Sequence, residues 1–459
     1  MERVTGLRFV VVGAGRSGLA LTRFLLDRKG EVVLTDLRAE GLDPEMEALR
    51  GRGARLTLGG HDEADFTAAD RVLVSPGVPL TIPPLQAARR AGVKVWTEVE
   101  FAARFLKGKI IGITGTNGKS TTTTLTGLLL QEGGLEAIPC GNLGTPLIEM
   151  AAGDSPERHY VVELSSFQLE GIEAFRPDIA VLLNVAPDHQ DRYPNHAAYR
   201  AAKGRLFENQ RLEDHAVLNR DDPETWAFRS SVSARLSLFS RTEPVESGAS
   251  LESGWVVTRE SGRSRRVLTA ERLPLVGVHN LENVLASVAA ANLCGVPAER
   301  MASPLLRFRG LPHRIELVAE VGSVRYYNDS KATNVAATAR SLESFTEGVI
   351  LILGGKDKGG DFASLIPLLS RRAAGVVLMG KAADAIAAQI GTPVPTRKVR
   401  TMAEAIAAAR KMAAPGQVVL LAPGCASFDA YRDFEERGED FRTRVRALTE
   451  DPTGAEEKN

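Results

Sequence analysis

Residues Lys109 to Thr123 read Lys-Ile-Ile-Gly-Ile-Thr-Gly-Thr-Asn-Gly-Lys-Ser-Thr-Thr-Thr. A short apolar run ends in a glycine-rich turn, and a lysine and hydroxyl residues then open a helical pattern. Glycines let a backbone turn tightly and aim its N–H groups at an anion. The helix beginning at Lys119 adds its positive end. Lys119 can reach the outer phosphates of a nucleoside triphosphate, and the Ser120 hydroxyl can ligate Mg²⁺. The segment thus calls for a strand–loop–helix unit in an α/β sheet and points to a bound nucleotide. The strict phosphate-loop pattern wants glycine where Ile113 stands, and Gly115 comes two residues later. A glycine-rich turn without a ligand is therefore the plain alternative.

At 459 residues the chain is too long for one core and suggests about three domains. Lysine plus arginine and aspartate plus glutamate both total 57, a net charge of zero that argues against a general nucleic-acid binder. Cys140, Cys294 and Cys425 are odd in number and far apart, so neither a disulfide framework nor a cysteine zinc site is expected. No run reaches the ~18 apolar residues of a spanning helix. A monomer in the cytoplasm, with small-molecule partners and neither nucleic acid nor membrane, is the expectation.

Residues 1–97 alternate strand, turn and helix. Arg8-Phe-Val-Val-Val12 is a buried strand, Gly13-Ala-Gly-Arg-Ser-Gly18 the turn, and Leu19 to Asp27 a helix. Glu31 to Thr35 and Arg71 to Ser75 are further strands, the first ending at Asp36. Gly-x-Gly-x-x-Gly between strand and helix, with an acid about 20 residues on, describes a Rossmann-like unit that binds a nucleotide or diphosphate. A tight turn packing helix on strand is the other reading. Residues 98–311 form a second domain. Its helix after Lys119 stops at Gly133-Gly134, and strands follow at His159 to Glu163 and Ile179 to Asn184. Residues 229–275, with Ala234 to Phe239 and Trp255 to Thr258, read as an antiparallel excursion at the sheet edge. The helix Asn280 to Leu293 comes next. Residues 312–459 form a third α/β domain with strands at Val349 to Leu353, Gly375 to Met379 and Gln417 to Leu421, a helix at Met402 to Met412, and a polar tail from Glu450. The fold class is α/β in three domains: a Rossmann-like first, a phosphate-loop mononucleotide-binding second and a Rossmann-like third.

Glu163 ends a strand where a carboxylate could hold Mg²⁺, or be a solvated strand end. His189 follows the next buried strand and is a candidate metal or phosphate contact, or an ordinary loop histidine. Lys203 in Tyr199-Arg-Ala-Ala-Lys-Gly-Arg reads as a surface lysine. Asp329-Ser-Lys-Ala-Thr-Asn334 packs polar groups into a loop after the strand Val324 to Tyr327 and suits a cap for the next helix. His313-Arg314 reads as a linker. Lys356 and Lys358 flank a glycine-rich strand end where an anionic group would fit.

Several short motifs recur in a fixed order: Ser75-Pro-Gly77, Thr114-Gly-Thr-Asn-Gly-Lys-Ser-Thr121, Gly141-Asn-Leu-Gly144, Glu163-Leu-Ser-Ser-Phe-Gln168, Asp188-His189, Asp191-Arg-Tyr193 and Tyr199-Arg-Ala-Ala-Lys203. His279-Asn280 with Asn283, Leu311-Pro-His-Arg314, Asn328-Asp-Ser-Lys-Ala-Thr-Asn334, Gly354-Gly-Lys-Asp-Lys358 and Cys425-Ala-Ser427 continue the series. The set, which runs almost end to end, resembles the Mur ligases, and within them the branch that adds D-glutamate in peptidoglycan synthesis. The resemblance implies an ATP-dependent amide ligase acting on UDP-N-acetylmuramoyl-L-alanine and D-glutamate through an acyl phosphate, with a pair of Mg²⁺ ions.

Residue by residue, it implies that Gly15, Arg16 (through its backbone), Ser17, Asp36, Leu37, Arg38, Ser75 and Gly77 hold the UDP, with Asn142 and His189 at the sugar-peptide part. ATP would lie on Gly115, Thr116, Asn117, Gly118, Lys119, Ser120 and Thr121, with Asn280, Asn283, Arg314, Asp329 and Lys331 also at the nucleotide. Lys331, Thr333, Lys358, Ser427 and Phe434 match the D-glutamate site. Ser120 and Glu163 would hold one metal. His189 and Lys203, which matches a carbamylated lysine of the family, would hold the other. Lys119, Glu163, His189 and Lys203 would carry the catalysis, and closure of the third domain would assemble the site. A relative adding another amino acid, a dehydrogenase using the first glycine loop, and a non-catalytic nucleotide switch are the competing readings.

Overall fold

The computed structural model describes the chain except residues 1, 40–43, 190, 191, 261, 276, 347, 358 and 451–459. The first sheet consists of β1 (Arg8–Val12), β2 (Glu31–Asp36), β3 (Arg55–Leu58), β4 (Arg71–Val74) and β5 (Lys94–Thr97). All are parallel, in the order β3-β2-β1-β4-β5. The Phe-Val-Val-Val run of β1 is apolar at every position because both its faces are covered. Phe9 and Val11 enter one core cluster, and Val10 and Val12 another. The helix Arg16–Asp27 packs tightly on the turn that precedes it. A Cβ at position 18 would sit 1.8 Å from the Gly13 carbonyl oxygen, so only glycine lets the helix come so close.

The central sheet consists of β6 (Lys109–Thr114), β7 (Ala137–Gly141), β8 (His159–Glu163), β9 (Ile179–Leu182), β10 (His215–Asn219), β11 (Arg235–Ser240), β12 (Gly248–Glu252), β13 (Trp255–Glu260) and β14 (Arg263–Thr269). Their order is β14-β13-β12-β11-β10-β9-β6-β8-β7. The phosphate loop leaves β6 in the middle of the parallel part, flanked by β8 and β9. The edge excursion is antiparallel only from β12 to β14. Strand β11, expected in the same excursion, pairs in parallel with β10 and β12. The helix Pro223–Trp226 and the short turn after it supply the crossover that parallel pairing needs.

One core cluster runs from Phe9 and Phe24 through Phe101 and Phe105 to Tyr160 and Leu182, joining the first and central sheets. Glu98 lies at that junction, opening the helix Glu98–Ala103 after β5, with none of its surface exposed. Its Oε1 accepts the Ile148 N–H at 2.7 Å, while its Oε2 has no hydrogen-bond partner. Burial pushes the carboxyl up to about 7, against the pull of the Ile148 N–H. The folded state therefore binds more protons than the unfolded chain between pH 4.5 and about 7, and stability must fall as pH rises through that window. The fall should be on the order of 3 kcal/mol at full effect. Glu98→Gln should flatten it and stabilise the fold at pH 8, measured as urea midpoints at pH 5 and pH 8. Parallel pH profiles for the two proteins would refute the assignment.

The third sheet comprises β15 (Glu316–Val321), β16 (Val324–Asn328), β17 (Val349–Gly354), β18 (Ala373–Met379), β19 (Thr396–Lys398) and β20 (Val418–Leu421), in the order β15-β16-β20-β17-β18-β19. It is parallel except for the β15–β16 hairpin, which sequence reading did not expect. Two apolar clusters cover its faces. By compactness the chain divides into Met1–Arg272 with Glu282–Leu305, which hold the first and central sheets, and Leu273–Leu281 with Leu306–Asn459, which hold the third. No helix among the described residues is long and apolar enough to cross a membrane.

Candidate active site

The phosphate loop spans Gly115 to Gly118 between β6 and the helix Lys119–Glu132. Gly118 has φ +84°, and a Cβ there would lie 2.2 Å from Asn283 Oδ1, so both backbone and space demand glycine. Asn184 braces the loop from behind. Its Oδ1 accepts the Asn117 N–H at 2.9 Å, its Nδ2 donates to the Asn117 carbonyl at 3.2 Å, and its own carbonyl takes the Thr116 N–H at 2.9 Å. Thr121 is buried in the helix's first turn, and one turn in, Thr122 Oγ1 donates to Asn283 Oδ1 at 3.3 Å.

Lys119 folds back over its own loop, and its Nζ donates to the carbonyls of Gly115 at 2.8 Å and Thr116 at 2.9 Å. Lys203 reaches the same Gly115 carbonyl at 2.8 Å from the helix His196–Gly204. The surface reading of Lys203 is thereby overturned: the residue is 1% exposed. Tyr199 and Lys203 lie one helical turn apart on the inner face, and Nζ stands 4.7 Å from the Tyr199 ring centroid. Burial, and then the neighbouring Lys119 charge, depress the Lys203 amine well below an ordinary lysine, while Asp188 and Glu163 pull the other way. Two amino groups on one carbonyl oxygen make a place that an anion would stabilise.

Glu163 ends β8 and is buried. Asn142 Nδ2, on the loop after β7, donates to its Oε1 at 2.7 Å, while Oε2 is buried without a partner. An orphaned carboxylate oxygen next to a phosphate loop fits a hard cation. Ser120, 3% exposed at the start of the loop helix, is the hydroxyl such a cation would share. His189 has φ +53° and packs its ring 4.7 Å from that of Phe167, with Nε2 3.9 Å from Asp188 Oδ2. Among the described residues, no group of three or more histidine, cysteine, aspartate or glutamate side chains could hold a metal. The Glu163 carboxylate and the Ser120 hydroxyl are the groups here that suit a cation.

On the first sheet, Asp36 ties the glycine turn to the end of β2. It accepts the Ala14 N–H at 2.7 Å and the Arg38 N–H at 2.8 Å, and the Arg38 side chain grips both its oxygens at 3.1 Å. Burial opposes ionisation, but the Arg38 and Ala14 hydrogen bonds outweigh it and hold the carboxyl at about 2. Ser75 Oγ donates to the Gly13 carbonyl at 2.9 Å and lies against Gly18, tying the end of β4 to the glycine turn. Leu37 is 67% exposed at the rim, an apolar surface open to a ligand. Arg16 also lines a cavity of about 250 Å³ with Gly144 and Thr145.

In the second compact unit, His313-Arg314 is no mere linker. His313 is buried at φ +61°, with Nδ1 2.9 Å from Asn328 Nδ2. Asp329 is buried and accepts the Ser341 hydroxyl; burial pushes its carboxyl up to about 6, against Ser341 and Arg314. Asn334 supplies the expected cap, accepting the Ala337 N–H at 2.7 Å. Lys331 lays its ammonium 3.7 Å from the Phe434 ring centroid, and Thr333 follows within the same loop. Ser427 is buried at the far end of the loop after β20, with its carbonyl accepting the Ala430 and Tyr431 N–H groups. Asn280 is buried in the Leu273–Leu281 segment of this unit. Lys358 lies outside the described residues.

Residues 113–291 match the Mur ligase middle domain, residues 7–97 the Mur ligase MurD-like N-terminal domain, and residues 313–425 the Mur ligase glutamate ligase domain. The chain is a Mur ligase. The UDP-N-acetylmuramoylalanine--D-glutamate ligase of Geobacter metallireducens is 47% identical to this Mur ligase over 97% of the chain and 98% of the relative. Its counterpart in Pelotomaculum thermopropionicum is 43% identical over 98% and 99%. Among solved structures, a pseudomurein peptide ligase type C from Methanothermus fervidus superposes with TM-score 0.61 at 18% identity, covering 97% of this chain and 99% of that one. The MurF ligase of Thermotoga maritima, solved with ADP, gives 0.59 at 16% identity over 91% and 95%. At these identities the two structures speak for the fold of this Mur ligase alone.

Sequence reading missed two residues that this geometry makes important. Asn184 was seen only as a strand end, although a polar residue closing a buried run beside a phosphate loop is a usable signal. Arg437 gave no signal, because Glu435-Glu436-Arg437-Gly438 looks like a solvated helix face. Yet it is 2% exposed and donates to the Ser330 hydroxyl and carbonyl and to the Cys425 carbonyl, at 2.9, 2.8 and 3.1 Å. It joins the Asp329–Thr333 loop to the Cys425–Ser427 loop.

Proposed function

We propose that this Mur ligase joins D-glutamate to UDP-N-acetylmuramoyl-L-alanine at the expense of ATP, through an acyl phosphate. The convergence of the Lys119 and Lys203 amines on the Gly115 carbonyl, beside a glutamate with an unpartnered oxygen, carries this reading. Such a place suits charge passing from a triphosphate to a carboxylate. The N–H groups of Gly115 to Thr121 take the phosphates, with Asn283 behind the loop. Lys119 neutralises the transferred phosphoryl group. Ser120 and Glu163 would hold one Mg²⁺, His189 and carbamylated Lys203 a second, and these ions would supply further neutralisation of phosphate charge.

The alanyl carboxylate oxygen forms a bond to the γ-phosphorus as the bond to ADP breaks. The neutral amine of D-glutamate then forms the amide as phosphate leaves and a proton is lost from nitrogen. Asp36 with Arg38, and Ser75 to Gly77 with Gly15, Arg16 and Ser17, seat the UDP against Leu37. Asn142 orients the sugar-peptide part while bonded to Glu163. Lys331, Thr333, Ser427, Phe434 and Lys358 take D-glutamate, whose two carboxylates suit lysines and hydroxyls. Residues 1–97, 98–311 and 312–459 are the corresponding domains. The reaction belongs to the cytoplasm, where ATP is supplied.

The deciding assay is phosphate release from ATP and Mg²⁺ with the UDP-sugar substrate, across D-glutamate, L-glutamate, L-lysine, meso-diaminopimelate and L-alanine. Release is expected with D-glutamate alone. Release with another amino acid would move the substrate, and none with any would defeat the ligase reading.

A further inference from the structure

One side chain reaches both the turn assigned to the UDP and the loop that carries His189. Arg192 stands three residues after His189, and the Arg192 and Tyr193 N–H groups both donate to the His189 carbonyl at 3.0 Å. Its guanidinium donates to Glu170 Oε2 at 2.7 Å and to the Val78 carbonyl at 3.3 Å, and lies 4.4 Å from the Phe167 ring centroid. Val78 closes the Ser75–Gly77 turn through its N–H, which donates to the Ser75 carbonyl at 3.0 Å. Glu170 and Phe167 come from the helix Ser166–Glu170. Glu170 also accepts the Tyr193 hydroxyl, and Phe167 is the ring packed against His189. The ion pair is largely sheltered, with the Arg192 side chain 12% exposed and that of Glu170 19%.

His189 sits at φ +53°, an uncommon conformation outside glycine that its surroundings help to hold. Phe167 and the Arg192–Tyr193 turn are those surroundings, and Arg192 fixes both. A planar guanidinium is suited to the task, since it can bond two acceptors while its face lies on a ring.

We propose that Arg192 is a positioning residue that locks the His189 turn to the Ser75–Val78 turn, so that seating the UDP end of the substrate sets the loop facing its reacting end. This deepens the ligase reading and rests on it. The coupling should run both ways: loosening the latch should weaken substrate binding and misplace His189.

The test compares wild type, Arg192→Gln, Arg192→Lys and Glu170→Gln in D-glutamate-dependent phosphate release, with KM for the UDP-sugar substrate, KM for ATP and the thermal midpoint. Arg192→Gln should lower kcat and raise KM for the UDP-sugar by about tenfold each, with KM for ATP changed by less than about twofold. Arg192→Lys should recover the thermal midpoint through its charge but only a small part of kcat, because an ammonium can reach the acceptors that Nη2 serves but has no planar face to lay on the Phe167 ring. Glu170→Gln, which keeps the shape of the site, should shift kcat and the UDP-sugar KM in the same direction by less. A loss of thermal midpoint with kcat and KM unmoved would overturn the proposal, as would full recovery of kcat by lysine. Should Arg192→Gln fail to fold, wild-type kcat and KM in Glu170→Gln would also overturn it. No release by the wild type with any amino acid would defeat the ligase reading and the latch together, a result distinct from an active wild type with indifferent variants.

Discussion

Replacing Lys119 by alanine should reduce D-glutamate-dependent phosphate release by about 10³-fold, the usual scale for losing a preorganised charge at a developing anion. The protein should still fold. Asn184 continues to hold Asn117 and Thr116, and Lys203 keeps its bond to the Gly115 carbonyl, so the loop loses one of several supports. Binding of the UDP-sugar substrate should change little, because the Asp36–Arg38 and Ser75–Gly13 ties lie on the first sheet and do not involve Lys119. Lys119→Arg should not recover the rate. The backbone oxygens that Lys119 reaches at 2.8 and 2.9 Å leave room for a compact ammonium, not a wider planar fork. Calorimetric binding of the UDP-sugar, which also reports on folding, beside a phosphate-release assay checks all four statements. Near-normal turnover in Lys119→Ala would mean that this loop does not handle the transferred phosphate.

What was legible in the sequence was whatever a short local pattern encodes. The β1 run with its glycine turn, the β6–loop–helix unit ending at Gly133, and the helix Met402–Met412 all stand as their residues read, because apolar runs, glycines and helix periodicity act within a few positions. Pairing partners were not legible. Strand β11 alternates like an antiparallel edge strand, yet the crossover before it fixes it parallel to β10. Site chemistry that depends on burial was hidden for the same reason. Nothing in Tyr199-Arg-Ala-Ala-Lys203 alone says which helix face turns inward, so Lys203 read locally as a surface residue, and only the family resemblance pointed to the site where the fold buries it. Arg437, among glutamates, looked solvated although it is enclosed by two loops. Motif order, which records many positions together, was the one sequence signal that reached across such distances.

Lys203 sets function against stability in a way that experiment can separate. In the unfolded chain its amine is an ordinary lysine, charged up to about pH 10.4. In the fold, burial and Lys119 disfavour the charge, so the unfolded state binds more protons over the whole range between the depressed value and the ordinary one. Stability should therefore rise with pH across that range through this residue. Lys203→Met, which fills the same volume without an amine, should remove that slope and stabilise the protein at neutral pH by about 1–3 kcal/mol. The same change should cost about 10²–10³-fold in turnover if the residue holds a metal or phosphate charge. A neutral amine in this position can also attack CO₂, forming an N–C bond to give the carbamate anion and releasing one proton. That anion would lie against Lys119 and relieve the repulsion between the two amines. Wild-type activity should then fall on removing bicarbonate and return on adding it, and ¹³C-bicarbonate should give a carbamate resonance that Lys203→Met lacks. A variant that is both less stable than wild type and fully active would overturn this account of Lys203.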